Sequence, residues 1–246
     1  MSAVLYEHDG DGVAHVILNR PERKNAISGP LGQDLAAAMQ RASDDGDVRV
    51  VVLRGAGDAF CSGLDLKAFN TDPAPAWLAD FQSIWRGAHN SLFNCPKPVV
   101  AALQRYAING GAALALAADL LIVGEDAFLQ VGESQLGMAA PYNLAWLNLR
   151  YSEALIARLV IPGERWNGQD LAAAGVAHRC VPDAEVLATT LALAAQLAGY
   201  PEGGLQQIKA GMRARLDVAA DDWFDRFTAG AGGRPPPKMP GRSERD

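Results

Sequence analysis

The fold class is most visible between Lys97 and Met138, where the sequence reads "KPVVAALQRYAINGGAALALAADLLIVGEDAFLQVGESQLGM". It opens with a nearly continuous apolar run, which is typical of a strand buried on both faces. The pair Gly110 and Gly111 then begins a segment of alanines and leucines, which predicts a helix with no reactive side chain. "DLLIVGEDAFLQV" predicts two short strands around a turn. Strands and a helix alternate here, so the sequence predicts an α/β fold.

Composition narrows the class of protein. Of 246 residues, 49% are hydrophobic and 20% are charged, as in ordinary globular proteins. The net charge of −6 argues against nucleic acid as the main partner, because phosphate binding needs a basic surface. Three scattered cysteines do not cluster with the four histidines, so no metal site is expected and a reducing compartment fits. No signal-peptide pattern or membrane-length apolar run is present, and we therefore expect a cytoplasmic protein without a membrane partner.

The rest of the chain suggests an α/β core followed by helices. "VAHVILNRP" at 13–21 and the β-branched run at 48–55 predict strands, and 28–43 has helical spacing. A further helix is predicted around 76–93. Beyond Asn143 only helices are predicted, at 143–160, 167–174, 183–197, 202–216 and 221–229. We therefore divide the chain into a core at 1–190 and a C-terminal helical region with a proline-rich tail at 191–246.

Two glycine-containing loops could bind a negative oxygen. "GDAFCSGLDLKAF" at 57–69 follows a predicted strand, and Gly63 allows a turn that presents the amide of Leu64. Gly110 lies at a predicted helix N-terminus, where N–H groups are unpaired and the helix dipole is positive. Two such amides directed at one oxygen form an oxyanion hole. Taken alone, each loop is more typical of a tight turn or of close packing.

Glu133 is the candidate acid. It is the only charged residue between Ala127 and Leu149. Burial in so apolar a stretch raises the pKa of a carboxyl group and suits it to proton transfer near neutral pH. The spacing is equally compatible with a solvated loop glutamate.

Five motifs in chain order resemble the crotonase family, the enoyl-CoA hydratases and isomerases. They are "VAHVILNRPERKNAI", "FCSGLDL", the 97–138 stretch, "WNGQDLAAAGVAHRCVPD" and "RPPPKMPGR". The resemblance implies a spiral of ββα units with a C-terminal helical region used in trimer formation. It implies a homotrimer or a dimer of trimers that acts on an acyl-CoA thioester and needs no separate cofactor, because coenzyme A is part of the substrate. The thioester oxygen would lie between the amides of Leu64 and Gly110.

The same resemblance implies the residues that line the substrate. These are Arg23, Lys24, Ala26, Ser62, Gly63, Asp65, Leu66, Lys67, Gly111, Ala113 and Pro141. The cations among them are equally compatible with an ordinary exposed surface. Asp65 is also expected to cap or brace its own turn.

Two positions depart from the hydratase pattern. The family's hydratases resemble one another in carrying a glutamate three residues after the oxyanion glycine, where this chain has Ala113. They carry a glycine eight residues after the position of Glu133, and its N–H helps to hold the attacking water. This chain has Pro141 there, which has no N–H. Shifting a double bond needs one acid that moves a proton between two carbons, so isomerisation by Glu133 is the favoured interpretation.

Two alternatives stay open at this stage. A weak or specialised hydratase could hold water with Asn109, Gln135 or Asn143, or could use an acid from elsewhere, such as Asp80 or Glu153. A homologue that binds acyl-CoA without catalysis would keep both glycine loops.

Overall fold

The structure is a computed structural model that describes residues 2–8 and 10–229. The proline-rich tail, with its "RPPPKMPGR" motif, lies outside the described residues. No described helix has both the length and the apolar character that crossing a membrane requires.

Strands and helices alternate along most of the chain. The strands are β1 (Val4–His8), β2 (Val13–Leu18), β3 (Val50–Gly55), β4 (Val99–Leu103), β5 (Tyr106–Ile108), β6 (Leu120–Gly124), β7 (Phe128–Gln130), β8 (Arg165–Asn167) and β9 (Arg179–Val181). The helices are α1 (Gly29–Asp44), α2 (Leu66–Phe69), α3 (Phe81–Asn94), α4 (Gly110–Ala117), α5 (Pro141–Asn148), α6 (Glu153–Val160), α7 (Gly168–Ala173), α8 (Val186–Ala198), α9 (Gly204–Arg213) and α10 (Ala220–Thr228).

The larger sheet has the order β1-β2-β3-β4-β6-β9, with β1 antiparallel to β2 and the other pairs parallel. All five residues of β4 are buried because both faces of the sheet are covered. On one face Val100 and Ala102 pack with Leu193 and Ala194 of α8, while the alternate residues join the main core. This double burial explains the continuous apolar runs in the sequence.

The smaller sheet positions the candidate site. β5 is parallel to β7, and β8 is antiparallel to β7. Ile108 and Gln130 are paired at the carboxyl ends of their strands. The chain after Ile108 enters α4 through Asn109, and the chain after Gln130 enters a 3-10 turn that begins at Glu133. Parallel pairing therefore brings the glycine helix and the candidate acid to the same sheet edge.

Three predictions of local structure were wrong. The stretch 143–160 is two helices, α5 and α6, and Ser152 caps the second by accepting a hydrogen bond from the Leu155 N–H. The helix expected around 76–93 begins at Phe81, after a separate 3-10 turn at Ala76–Leu78. The region after 143 also contains β8 and β9, since strands of three residues are too short to show an alternating pattern.

The division of the chain at residue 190 stays a prediction. Position 190 lies inside α8, which packs on the larger sheet through Leu193 and Ala194.

Candidate active site

The N-terminus of α4 offers unpaired backbone donors. Its N-cap residue, Asn109, has φ 52° and ψ −113°, an unusual conformation for a residue with a side chain. Among the backbone hydrogen bonds outside the regular elements of the described residues, none has the nitrogen of Gly110 or Leu64 as its donor. Both residues are only half-buried. The positive end of the α4 dipole adds to the attraction that these N–H groups exert on a negative oxygen.

Close packing holds the two glycine loops together. A β-carbon on Gly63, whose φ is 88°, would lie 2.9 Å from the carbonyl oxygen of Ile108. A β-carbon on Gly111 would lie 2.6 Å from the carbonyl oxygen of Cys61. These contacts require glycine at both positions, because a side chain would separate the loop at 61–64 from the start of α4.

Ile27 joins the two candidate donors. Its N–H donates to Gly63 O at 2.8 Å, and its carbonyl oxygen accepts from the Asp65 N–H at 2.9 Å. Its Cδ1 would be 2.8 Å from a β-carbon on Gly110. The backbone around Leu64 is therefore fixed by hydrogen bonds on each side, next to Gly110.

Glu133 is buried rather than solvated, with 9% of its surface exposed. Its Oε1 accepts a hydrogen bond of 2.9 Å from Asn143 Nδ2, while its Oε2 is buried and has no partner among the described residues. Burial raises the pKa of Glu133 to about 7, against smaller lowering effects of its own backbone N–H and of the Asn143 amide. Both protonation states are therefore populated near neutral pH.

Two asparagines connect this acid to the glycine helix. Asn109 Oδ1 accepts from the Gly132 N–H at 2.8 Å, and the Asn109 N–H donates to Gln130 O at 2.8 Å. Asn143 Nδ2 donates to Asn109 O at 3.1 Å. Side-chain and backbone hydrogen bonds thus fix Glu133 relative to the N-terminus of α4.

The segments proposed to line coenzyme A run side by side. The Ser62 N–H donates to Lys24 O at 3.1 Å. Lys24 Nζ lies 2.9 Å from Asp58 Oδ1, and Arg23 and Lys67 are exposed. The cations thus stand at the surface, where an anionic ligand could reach them.

Asp65, Leu66 and Ala26 belong to the framework between these segments. Asp65 pairs with Arg20 at 2.7 Å and accepts from the Ala68 N–H at 3.1 Å, which caps α2 from its start at Leu66. Burial by itself raises the pKa of Asp65, but Arg20 and the Ala68 N–H outweigh it and hold that pKa below its usual range. Arg20 also donates to Ala26 O. Asp65 is therefore a brace, as its position in the turn indicated.

Ala113 and Pro141 lie where the sequence places them, at the start of helices. Ala113 is fully buried in the first turn of α4, and its N–H donates to Asn109 O at 3.0 Å. Pro141 is the first residue of α5. Asp80 and Glu153 are exposed, so neither supplies a buried acid beside Ala113.

Sequence reasoning missed the linking role of Asn143. Asn109 and Asn143 were named from the sequence only as residues that could hold a water. Asn143 carries no sequence signal of a linking role, because its contacts with Glu133 and Asn109 arise only when α5 packs against α4. Among the described residues, no group of three histidine, cysteine or acidic side chains could hold a metal ion.

The fold and the site together define an α/β protein in which a buried carboxylic acid lies beside a glycine-started helix. A family model described as enoyl-CoA hydratase/isomerase matches residues 8–225 of this chain. The chain therefore belongs to the enoyl-CoA hydratase/isomerase family, in the crotonase superfamily. The family resemblance and the expected crotonase-like α/β fold are confirmed. The use of the C-terminal helical region in trimer formation stays a prediction.

Individual relatives carry different activities in their names. The chain is 33% identical over 233 residues to a carnitinyl-CoA dehydratase of Proteus mirabilis. This alignment covers 94% of this chain and 88% of that protein. It is 32% identical over 226 residues to a mitochondrial Delta(3,5)-Delta(2,4)-dienoyl-CoA isomerase of Rattus norvegicus, with coverages of 87% and 69%. The crystal structure of an enoyl-CoA hydratase/isomerase from Mycobacterium paratuberculosis superposes with a TM-score of 0.83 at 26% identity, covering 94% and 92%.

Proposed function

We propose that this protein is an enoyl-CoA isomerase that shifts a double bond through a thioester enolate, with Glu133 as its single acid and base. The amides of Leu64 and Gly110 bind the thioester carbonyl oxygen. The segments around Lys24 and Ser62–Lys67 bind the nucleotide and pantetheine of coenzyme A.

In the proposed reaction, Glu133 moves one proton from the α-carbon to the γ-carbon of the substrate. Ionised Glu133 takes a proton from the α-carbon of a 3-enoyl-CoA, and the electron pair of the broken C–H bond passes into the thioester. The negative charge develops on the oxygen bound by the two amides, where preorganised donors stabilise it. Protonated Glu133 then gives its proton to the γ-carbon, which yields the 2-enoyl-CoA and restores the carboxylate.

The observation that carries the proposal is the isolation of Glu133. It is a buried carboxyl group whose pKa is about 7, and it is tied by hydrogen bonds to the N-terminus of α4. The positions at which the hydratase pattern has its second acid and its water-holding amide are occupied by Ala113 and Pro141. Taking and returning a proton requires one group that populates both states, which this pKa provides.

Purified protein assayed with 3-enoyl-CoA, and separately with 2-enoyl-CoA in water, tests the proposal. We expect the first to be converted and Glu133→Gln to abolish the conversion. Glu164→Gln is the matched control: it alters an exposed acid of a nearby segment of the same chain, and we expect it to keep activity. If only hydration is observed and Glu133→Gln leaves it intact, the proposal is wrong.

Hydration or dehydration is the second candidate, and one observation favours it. Asn143 Oδ1 is buried and accepts no hydrogen bond from a described residue, so a water or a substrate hydroxyl could donate to it. Gln135 is less suited, because its Nε2 already donates to Pro162 O and Gly163 O. The similarity to a protein named carnitinyl-CoA dehydratase points the same way. The paired assays above separate the two activities.

A homologue that binds acyl-CoA without catalysis makes a distinct prediction. Coenzyme A thioesters would raise its thermal stability, since a ligand that prefers the folded state stabilises it, yet none would be turned over.

We further propose that the protein assembles as a homotrimer or a dimer of trimers. Ile208 and Met212, one turn apart on α9, are 61% and 57% exposed, and an interface would cover them. Sedimentation equilibrium measures the assembly, and a monomer at micromolar concentration would contradict it.

A further inference from the structure

Asn143 uses its whole donor capacity on two parts of the site. It lies on α5 and is 2% exposed. Its Nδ2 donates to Glu133 Oε1 at 2.9 Å and to Asn109 O at 3.1 Å. A primary amide carries two N–H bonds, and the Asn109 carbonyl oxygen can only accept, as can the ionised Glu133 carboxylate. The orientation of the amide is therefore determined, with the nitrogen toward Glu133 and Asn109.

This contact distinguishes the two oxygens of Glu133. Oε1 is engaged by a donor in the folded protein, whereas Oε2 accepts nothing from the described residues. A carboxylic acid that accepts a hydrogen bond on one oxygen carries its proton preferentially on the other. The mobile proton is thereby confined to Oε2.

The same nitrogen sets where the acid stands relative to the glycine helix. Asn109 is the N-cap of α4, and its carbonyl oxygen also accepts from the Ala113 N–H at 3.0 Å. One amide group thus bridges the acid and the first turn of the helix that begins at Gly110. A shift of about 1 Å between such groups can cost two orders of magnitude in rate.

We propose that Asn143 is a positioning residue for Glu133, which fixes the carboxyl group against the start of α4 and directs its proton to Oε2. The inference deepens the proposed function and rests on it for the role of the acid. It assigns to α5 a part in the chemistry that a helix used only for packing would not have.

The surroundings of Glu133 make Asn143 its principal side-chain influence. α4 carries no titratable group, and α5 contributes Tyr142, whose pKa is raised by burial, so it stays neutral. Glu164 follows Gly163, which packs against Ser134, but is exposed. No charged side chain is among the causes that shift the pKa of Glu133, and the Asn143 amide is the side chain that lowers it.

Three variants test the proposal. Asn143→Leu keeps the size and removes both donors, Asn143→Asp keeps the shape and adds a second carboxyl group, and Asn148→Leu on the same helix is the exposed control. The Glu133 carboxyl is titrated by ¹³C NMR in glutamate-labelled protein and assigned with Glu133→Gln. kcat and KM are measured against pH in parallel.

We expect the pKa of Glu133 to rise by about one unit in Asn143→Leu, because a hydrogen bond to a charged group is lost. It rises further in Asn143→Asp, where two carboxyl groups share one site. kcat falls about tenfold or more in both variants, with its pH profile displaced upward, while Asn148→Leu matches the wild type.

The titration separates this inference from the proposed function. If Glu133 titrates identically in the wild type and in Asn143→Leu, Asn143 only fills space and the inference is overturned, whatever the activity. If the wild type does not isomerise 3-enoyl-CoA, the proposed function fails, and the titration still decides the role of Asn143. Should Asn143→Leu not fold, Asn143→Ala provides the same comparison, because it also removes both donors without adding a charge.

Discussion

The two ends of α4 each have a buried carboxyl group nearby, and the two groups are treated in opposite ways. At the N-terminal end, Glu133 meets one neutral amide and no cation, and burial raises its pKa to about 7. Beyond the C-terminal end, Asp119 lies 2.7 Å from Lys209 Nζ and 3.4 Å from Arg150 Nη2. Burial by itself raises the pKa of Asp119 too, but Lys209 and Arg150 outweigh it and lower the pKa.

The contrast shows how neighbouring residues give two buried carboxyl groups of one fold opposite pKa shifts. Burial penalises both charges, and countercharges and hydrogen bonds decide whether the group stays ionised. Asp119 is paired with Lys209, which ties α9 to the sheet, and with Arg150, so we expect it to contribute to stability. Glu133 has no countercharge among the described residues, which suits the proton transfer proposed for it.

Removing the acid at the N-terminal end should have the largest effect. In Glu133→Gln we expect kcat to fall by about 10² to 10⁴, because a positioned general acid or base contributes that much. The thermal midpoint should not fall, since a neutral side chain replaces a buried acid. Steady-state kinetics and a melting curve measure both. If Glu133→Gln folds and keeps the wild-type kcat, Glu133 is not the catalytic acid, and its proposed functional difference from Asp119 is wrong.

Removing the acid at the C-terminal end should instead affect folding. We expect Asp119→Asn to lower the free energy of unfolding by about 3 to 5 kcal/mol, because Lys209 and Arg150 would be left buried without their partner. Denaturant titration measures the loss. Asp222→Asn, at an exposed acid of α10, is the control and should change little. A folded Asp119→Asn variant with a much lower kcat and an unchanged free energy of unfolding would contradict the contrast between the two acids.

The pH dependence of stability should have opposite signs at the two acids. The folded-state pKa of Glu133, about 7, lies above the ordinary glutamate value of 4.5, so the folded protein binds this proton more tightly. Wild-type stability should therefore fall relative to Glu133→Gln as pH rises from 4.5 to 7, by on the order of 3 kcal/mol. The contribution of Asp119 is present above the ordinary aspartate pKa of 3.8 and is lost as pH falls below it.

Unfolding of the wild type and Glu133→Gln in denaturant at about pH 5 and about pH 8, on either side of the Glu133 pKa, checks the first sign. Unfolding of the wild type and Asp119→Asn at about pH 5 and about pH 3, on either side of the ordinary aspartate pKa, checks the second. A stability difference between the wild type and Glu133→Gln that is equal at both pH values would show that Glu133 titrates normally.

The smallest effect should come from the cap that Arg150 makes at the C-terminal end of α4. Arg150 donates to Leu116 O and to Ala117 O, the last carbonyls of α4, where a cation also complements the negative end of the dipole. We expect Arg150→Met to cost about 1 to 2 kcal/mol of stability with little change in kcat. Arg158→Met, at an exposed arginine of α6, is the control. A shift in the pH profile of kcat in Arg150→Met would show that Arg150 influences the pKa of Glu133.

Residue patterns correctly predicted the helices and strands with the longest apolar runs. The apolar runs that form β3 and β4, and the alanine-leucine run that forms α4, lie where the sequence predicted them. Strands β8 and β9 were missed because three residues are too few to carry a pattern, and each forms only by pairing with β7 or β6. The break between α5 and α6 was missed although Ser152, which caps α6, is a residue type typical of helix N-caps.

Some features of the candidate site were visible in the sequence, and others were not. The isolation of Glu133 in an apolar stretch and the glycines at 63 and 110 were visible in the sequence. The burial of Glu133, the side-by-side packing of the two loops and the bridge made by Asn143 were not, because each depends on contacts between separate elements.

Residue types and their spacing were enough to predict the family, the alternation of strands and helices, and Glu133 as the candidate acid. The burial of Glu133 without a nearby countercharge among the described residues, and the pairing of Asp119 with Lys209 and Arg150, depend on the tertiary structure. A carboxyl group takes its pKa from the dielectric and the charges around it, and those neighbours, such as Asn143 and Lys209, arrive from distant parts of the chain.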